Sequence, residues 1–321
     1  MLLLFNLDLE SPLAAQVAAK LGCAIAPHED RRFEDGEHKV RPLIDPRGAH
    51  AVVLACLAAQ EGISPQDKLV RLLLFLAALR DHGARRVTAV LSYLAYARKD
   101  ERTKPWDPVN LRVVSQLIES VGTDHVVALE VHNASAFDNA FRCPSERIDG
   151  FRIFDPWVIE GLQKAQPSCL WALASPDPGG VKRVLRWRES LMGATQLELG
   201  FAMVDKRRSA GQLSGGSLVA GDVRGRCVVL LDDLVASGGT SLLAARALRA
   251  AGAIRVVLAA THAVLTPEAH LHLAEPAIDH ILFSDSISPM RWSTSNGWTQ
   301  KVTVLSAAPL LAEAIARDLS H

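Results

Sequence analysis

Residues 227–253 read "CVVLLDDLVASGGTSLLAARALRAAGA". Five apolar residues, Cys227–Leu231, lead into Asp232 and Asp233. A turn of small residues follows, from Ala236 through Ser237, Gly238 and Gly239 to Thr240, and then a helical Ala/Leu pattern. A buried strand, a glycine turn and a helix start form one βα unit. Such a turn points successive backbone N–H groups at the positive end of the helix dipole, which makes it a phosphate seat. The glycines allow close backbone approach, and Ser237 and Thr240 add hydroxyls. Carboxylates beside it accept hydrogen bonds from vicinal hydroxyls, so the unit suits a sugar phosphate. The sequence has no G-x-x-x-x-G-K-[ST] loop and no G-x-G-x-x-G fingerprint.

Similar units recur along the chain. The strand-length apolar runs are "AVVLACL", "VTAVLSYLA", "VVALEVH", "CLWALASPD", "LGFAMVDK", "VVLAATHAV", "HILFSD" and "KVTVLS". Among them lie helical patterns such as "QDKLVRLLLFLAALRDHG", "PVNLRVVSQLIESVG" and "TPEAHLHLA". Strand and helix in alternation predict an α/β fold with parallel sheets covered on both faces. Polar residues gather after the runs, at Tyr96 to Arg98, His132, Asp177 and Lys206, where open α/β sheets bind ligands. Pro, Gly and mixed polarity around Arg147 to Gly150 mark a boundary. The expected domains are 1–148 and 149–321, with the last helix a candidate to pack back on the first.

The 321 residues suit two domains. With 35 basic and 35 acidic residues and no long block of one sign, neither a nucleic acid nor an anionic membrane is an indicated partner. The N-terminal "MLLLFNLDLE" is too short to span a bilayer and reads as a first strand. The five cysteines form no C-x-x-C pair and read as reduced core thiols, in keeping with a cytoplasmic protein. Trp106, Trp171 and Trp187 read as packing residues.

"VVLLDDLVASGGT" resembles the 5-phosphoribosyl 1-diphosphate (PRPP) motif shared by type I phosphoribosyltransferases and ribose-phosphate diphosphokinases, the PRPP synthetases. The loop alone does not separate the two. Further stretches resemble the synthetases, in the synthetase order. "RRFEDGEHKVR" is similar to their adenine-binding segment, which implies Phe33, Asp35, Gly36 and Glu37 at the base, often across a subunit boundary. "YLAYARKDERTKP" resembles their Tyr-Ala-Arg-Gln-Asp segment and implies Arg98 and Lys99 at ATP. "LEVHN" and "ASPDPGGVKR" resemble strand ends that supply magnesium ligands, here His132 and Asp177. "VDKRRS" resembles the start of the flexible catalytic loop, giving Lys206 and Arg208 with Arg98 as catalytic residues; "SGGS", residues 214–217, reads as the flexible part of that lid.

The resemblance implies two type I phosphoribosyltransferase-like domains, each a mainly parallel sheet flanked by helices. The first serves ATP and the second ribose 5-phosphate, held by Asp232, Asp233 and Ala236 to Thr240. It implies Mg²⁺, transfer of the diphosphoryl group of ATP to ribose 5-phosphate, and a homo-oligomer, dimer or higher. The residues also leave open a catalytically weak or inactive regulatory relative and a transferase that consumes PRPP. Departures from the family pattern are Lys99 for glutamine, Ala236 for an acidic residue, Ser237 for threonine, "ASAFDNAF" after His132 and "SAGQL" after Arg208. "ERTKPWDP" is shorter than the arginine-rich stretch of phosphate- and ADP-sensing bacterial enzymes, so control of that type is not implied.

Overall fold

A computed structural model describes residues 1–8, 11–165, 169–209, 212–289, 292 and 295–320; the side chains at 165, 206–209, 212–217 and 295–296 lie outside the described part. The chain forms two compact units. The first comprises Met1–Asp149, Asp285–Arg291 and Ser306–His321, and the second Gly150–Ser284 and Trp292–Leu305.

In the first unit, β1 (Leu2–Asn6), α1 (Leu13–Leu21), β2 (His28–Arg32) and β3 (His38–Pro42) precede β4 (His50–Cys56), α2 (Pro65–Asp81), β5 (Arg86–Tyr93) and α3 (Asn110–Ser120). They are followed by β6 (His125–Leu129), α4 (Ala134–Asp138) and β7 (Ser145–Ile148). Strands pair in parallel in the order β1-β4-β5-β6-β7. Every residue of β4 is buried, which explains its unbroken apolar run. Helix α2 starts where Ser64 and Asp67 cap one another and Pro65 occupies the first turn, and it buries Leu69, Leu72, Phe75, Leu76 and Leu79. Strands β2 and β3 leave the sheet as an antiparallel hairpin. It is tied to α2 by Arg71, which donates to Asp30 at 2.8 Å and to the Leu7 carbonyl at 2.6 Å.

The second unit contains α5 (Asp155–Ala165), β8 (Leu170–Ser175), α6 (Val181–Thr195), β9 (Gly200–Ser209), β10 (Gln212–Ala220) and β11 (Arg226–Val235). It continues with α7 (Gly239–Ala250), β12 (Arg255–Ala263), α8 (Ala269–Leu273), β13 (His280–Ser284) and β14 (Val302–Leu305). The order is β10-β9-β8-β11-β12-β13-β14, parallel except for the β9–β10 hairpin. The chain builds outward from β8 to β9 and β10, then restarts on the other side of β8 with β11. That reversal is a topological switch point, and the crevice beyond the carboxyl ends of β8 and β11 is where such sheets take ligands.

The last helix, α9 (Ala308–Leu319), belongs to the first unit and packs on α1. Its buried apolar face ends in Asp318, only 3% exposed. That carboxylate accepts from Thr88 Oγ1 at 2.5 Å and Arg86 Nε at 3.1 Å, and lies 3.1 Å from His50 Nε2 and 2.8 Å from His125 Nδ1. Burial alone would raise its pKa, but these hydrogen bonds outweigh burial and hold the carboxyl well below the usual range.

Two expectations about side chains are corrected. Trp171 and Trp187 are buried, but Trp106 is 96% exposed and adopts φ 66°, in the turn that closes the 100–107 loop. Trp106 stands between Pro105 and Asp107 with no apolar run around it to bury it. All five cysteines are free, yet only Cys56 and Cys227 are buried; Cys23, Cys143 and Cys169 are half-exposed.

Asp318→Ala leaves Arg86 and two histidines without their acceptor and should cost about 3 kcal/mol in urea unfolding at pH 7. Because the folded pKa is depressed, the contribution of Asp318 persists at neutral pH. It is lost as pH falls below about 4, the unfolded value, through the folded one, so the two proteins should converge in acid.

Candidate active site

In the second unit, β11 stays in register with β12 through Val235, so Asp232 and Asp233 sit within the last residues of the strand. Asp233 is 4% exposed, and its carboxylate lies 3.7 Å from the Arg183 guanidinium on α6. The Asp233 N–H donates to Asp232 Oδ1 at 2.9 Å. The pKa of Asp232 is pushed well up, first by burial, then by the neighbouring Asp233 carboxylate and further by Asp177; Arg183 opposes the rise. Three carboxylates thus converge at the switch point, opposed by one nearby cation.

Asp177 follows β8 and caps the short 3-10 turn Pro178–Gly180. Its Oδ1 accepts from the N–H groups of Gly179 at 2.9 Å and Gly180 at 3.2 Å. Its Oδ2 takes no hydrogen bond among the described residues, leaving one carboxylate oxygen open.

Beyond Val235 the chain turns through Ala236, Ser237 and Gly238 into α7. Gly238 has φ +79°, and a Cβ there would lie 3.3 Å from both the His272 Cβ and the Leu273 Cδ2 of α8. Left-handed backbone and lack of space therefore both call for glycine. Thr266 N–H donates to the Ala236 carbonyl at 3.1 Å, and His272 Nδ1 lies 2.7 Å from the Ser237 carbonyl oxygen. Gly239 N–H reaches Ser237 Oγ at 3.4 Å. The N–H groups of Ser237 and Gly238 meet no acceptor among the described residues. With Thr240 in the first turn of α7, the turn has the backbone geometry that can hold an anion.

Lys206 and Arg208 lie on β9, opposite Ser217 and Leu213 of β10; the Lys206 and Arg208 side chains fall outside the described part, as do those of residues 214–217. The "VDKRRS" and "SGGS" stretches are thus the two arms of a hairpin in backbone terms.

In the first unit, Arg98 is exposed in the turn after β5, preceded by Tyr96 at φ 67°. Lys99 is turned into the following loop. Its Nζ donates to Asp107 Oδ2 at 2.5 Å and to Thr103 Oγ1 at 2.8 Å, and Asp107 also accepts from the Thr103 and Lys104 N–H groups. The Lys99 hydrogen bond, with help from Thr103, draws the Asp107 pKa down to about 2. His132 is exposed beyond β6, the strand next to β5, so it shares a sheet edge with Arg98. The residue before Val131, Glu130, has φ 40°, and Asn133 caps α4 through Ala136 N–H.

Phe33, Asp35, Gly36 and Glu37 form the tip of the β2–β3 hairpin. Phe33 is 41% exposed, with the Arg31 guanidinium 4.6 Å from its ring centroid. Gly36 takes φ +96°, the Phe33 N–H donates to the Glu37 carbonyl at 2.8 Å and Asp35 Oδ1 accepts from Glu37 N–H at 3.1 Å. The tip is ordered by its own backbone, and Phe33 stays part-exposed with Arg31 over its ring.

Sequence reading missed Arg183 and His272. Arg183 left a signal: Lys182 and Arg183 stand in the first turn of α6, where the helix dipole disfavours cations, so a carboxylate partner was implied. His272 left none, since only tertiary packing brings α8 against the turn.

The chain matches two family models: the N-terminal domain of ribose phosphate pyrophosphokinase over residues 2–122 and the phosphoribosyl synthetase-associated domain over residues 214–321. It is 33% identical to a ribose-phosphate pyrophosphokinase of Vibrio parahaemolyticus, covering 95% of this chain and 92% of that protein. A Haemophilus ducreyi protein of the same name is 34% identical with the same coverage. The crystal structure of phosphoribosylpyrophosphate synthetase from Mycobacterium smegmatis superposes with a TM-score of 0.83 at 30% identity, over 99% of both chains. The architecture is that of an α/β enzyme with two phosphoribosyltransferase-like halves. The chain belongs to the ribose-phosphate pyrophosphokinase family, the PRPP synthetases.

Because the Asp232 pKa is raised on folding, its carboxyl contributes most stability below about 4 and loses it as pH rises through the folded value. Without ligand, Asp232→Asn should therefore be more stable than the parent by about 1 kcal/mol at pH 8 in urea melts. The gain should vanish at pH 4, where the parent carboxyl is protonated.

Proposed function

We propose that the protein transfers the β,γ-diphosphoryl group of ATP to the anomeric hydroxyl of ribose 5-phosphate, giving PRPP and AMP. The observation that carries this reading is the switch-point arrangement: N–H groups at the start of α7 that meet no acceptor among the described residues stand near Asp232, whose pKa burial and the neighbouring carboxylates push well up. A ribose phosphate offers an anion to the turn and hydroxyl donors to Asp232 and Asp233. The acceptor oxygen forms a bond to the β-phosphorus, the bond from that phosphorus to the α–β bridging oxygen breaks, and AMP leaves on that oxygen. The hydroxyl proton is released as the bond forms. No covalent enzyme intermediate is needed, and catalysis rests on alignment and charge neutralisation.

Arg98, Lys206 and Arg208 are proposed to neutralise the phosphate oxygens during transfer, and Phe33, Asp35, Gly36 and Glu37 to meet the adenine. Lys99 serves the ATP segment by holding the loop to Asp107. For Mg²⁺, Asp177 of the second unit and His132 of the first are the candidate donors, each taken by itself, and the ion would supply neutralisation of phosphate charge. The donor set fits in part: Asp177 keeps an oxygen free, and Mg²⁺ in such enzymes takes few protein ligands and completes its shell with water and phosphate. His132 is the less usual donor, since this cation prefers oxygen. The outward Phe33 favours a tip that serves a neighbouring subunit, hence a homo-oligomer, dimer or higher. No described helix is long and apolar enough to cross a membrane, and the free thiols go with a cytoplasmic setting.

Incubation with ATP, Mg²⁺ and ribose 5-phosphate should yield AMP and PRPP in equal amounts. ADP as the sole nucleotide product would overturn the reading in favour of a simple kinase, and PRPP consumption with a nucleobase and no ATP would favour a transferase. Lys206→Ala should lower kcat by about 100-fold or more with ribose 5-phosphate binding intact; unchanged turnover would remove Lys206 from the chemistry. If the hairpin tip serves a neighbour, dilution to monomer should abolish activity, and a fully active monomer in sedimentation would refute the shared site.

A further inference from the structure

We infer that His272 is a positioning residue for the phosphate turn, fixing the direction in which the Gly238 N–H points. This rests on the reading of that turn as the ribose 5-phosphate seat. A carbonyl only accepts hydrogen bonds, so the 2.7 Å contact between His272 Nδ1 and the Ser237 oxygen requires a proton on Nδ1. The peptide between Ser237 and Gly238 is planar and trans, so its C=O and N–H point in opposite directions. Holding the carbonyl toward α8 therefore turns the Gly238 N–H away from α8, to the side where it meets no acceptor among the described residues.

The preceding peptide is held in the same way. Thr266 N–H bonds to the Ala236 carbonyl, which leaves the Ser237 N–H facing the opposite side. Two consecutive donors are thus set by contacts from the segment that follows β12. One of these contacts is backbone, and the other depends on a single side chain.

A glycine at φ +79° gives little resistance to rotation of this peptide, because nothing but its neighbours selects one orientation. The Cβ and ring of His272 also lie against Gly238 and Gly239, with Leu273 beside them, so α8 is the backstop of the seat. Without the imidazole hydrogen bond the peptide is free to flip, and a flipped peptide presents a carbonyl oxygen to the phosphate, which repels it. The cost falls on sugar-phosphate capture. The nucleotide side should not feel it.

The test is calorimetric titration of the full chain with ribose 5-phosphate, paired with steady-state kinetics. His272→Ala should raise the Kd for ribose 5-phosphate by about tenfold, equivalent to about 1.4 kcal/mol. KM for the sugar phosphate should rise in step, while kcat and KM for ATP stay within about twofold, the pattern of lost uniform binding. His272→Asn, whose side-chain amide can donate to the same carbonyl, should recover most of the affinity. An unchanged Kd in His272→Ala overturns the inference, as does failure of His272→Asn to recover affinity, or equal weakening toward ATP, which marks general loss of structure. If the parent binds ribose 5-phosphate but forms no PRPP, the proposed reaction fails while the positioning role is still decided by the two variants. Absence of ribose 5-phosphate binding in the parent overturns both.

Discussion

The site in the second unit depends on one constraint: β11 is buried between β8 and β12 and cannot shift its register. Val228 to Leu231 are wholly inaccessible, and Cys227 nearly so, with parallel partners on both sides. A slip by one residue would turn each buried side chain to the other face of the sheet. The apolar run therefore fixes where Asp232, Asp233 and the turn emerge. The reversal of strand order at β8 then places Asp177 beside them, because both strands end at the same edge. Hydrophobic burial sets the coordinates, and the polar residues inherit them.

The polar residues in turn are not arranged for stability. Asp232 is held in a state that opposes its own ionisation, with Asp233 and Asp177 nearby and Arg183 as counter-charge. The α7 turn keeps N–H groups that meet no acceptor among the described residues. The first unit shows the opposite treatment of a buried carboxylate: Asp318 is surrounded by Arg86, Thr88, His50 and His125, and its pKa is driven down. The contrast is between a carboxylate whose contacts lower its pKa and one, Asp232, whose surroundings raise it, the kind of perturbation that clusters at functional sites.

Much of this was legible in sequence because it rests on local rules. The βα unit at 227–253, the long α2, and the apolar runs that became β4, β5, β6, β8, β11, β12 and β13 carry their periodicity in the chain. The short elements do not. Strand β7 and helix α4 have four and five residues, too few to show a period, and β2 and β3 are charged strands without an apolar run, paired by backbone with Glu29 facing Lys39 and Arg41. Arg183 was recoverable from its misplaced charge at a helix start, but His272 was not, because its partner is a backbone carbonyl 35 residues away.

The departures at Lys99 and Ala236 have local structural accounts. Lys99 forms an ion pair with Asp107 within the same loop, and the loop's own hydroxyl and N–H groups share that carboxylate. The substitution thus arrives with its partner, and the added cation need not be neutralised by ATP. Ala236 presents its backbone to the turn, with the carbonyl taken by Thr266. A position that contributes a peptide group tolerates a change of side chain more readily than one that contributes a carboxylate. Divergence at these two places therefore leaves the backbone of the turn in place, and the demands of that turn fall on the residues that orient it: Gly238, at a left-handed φ with little room for a Cβ, and the α8 contacts that face it.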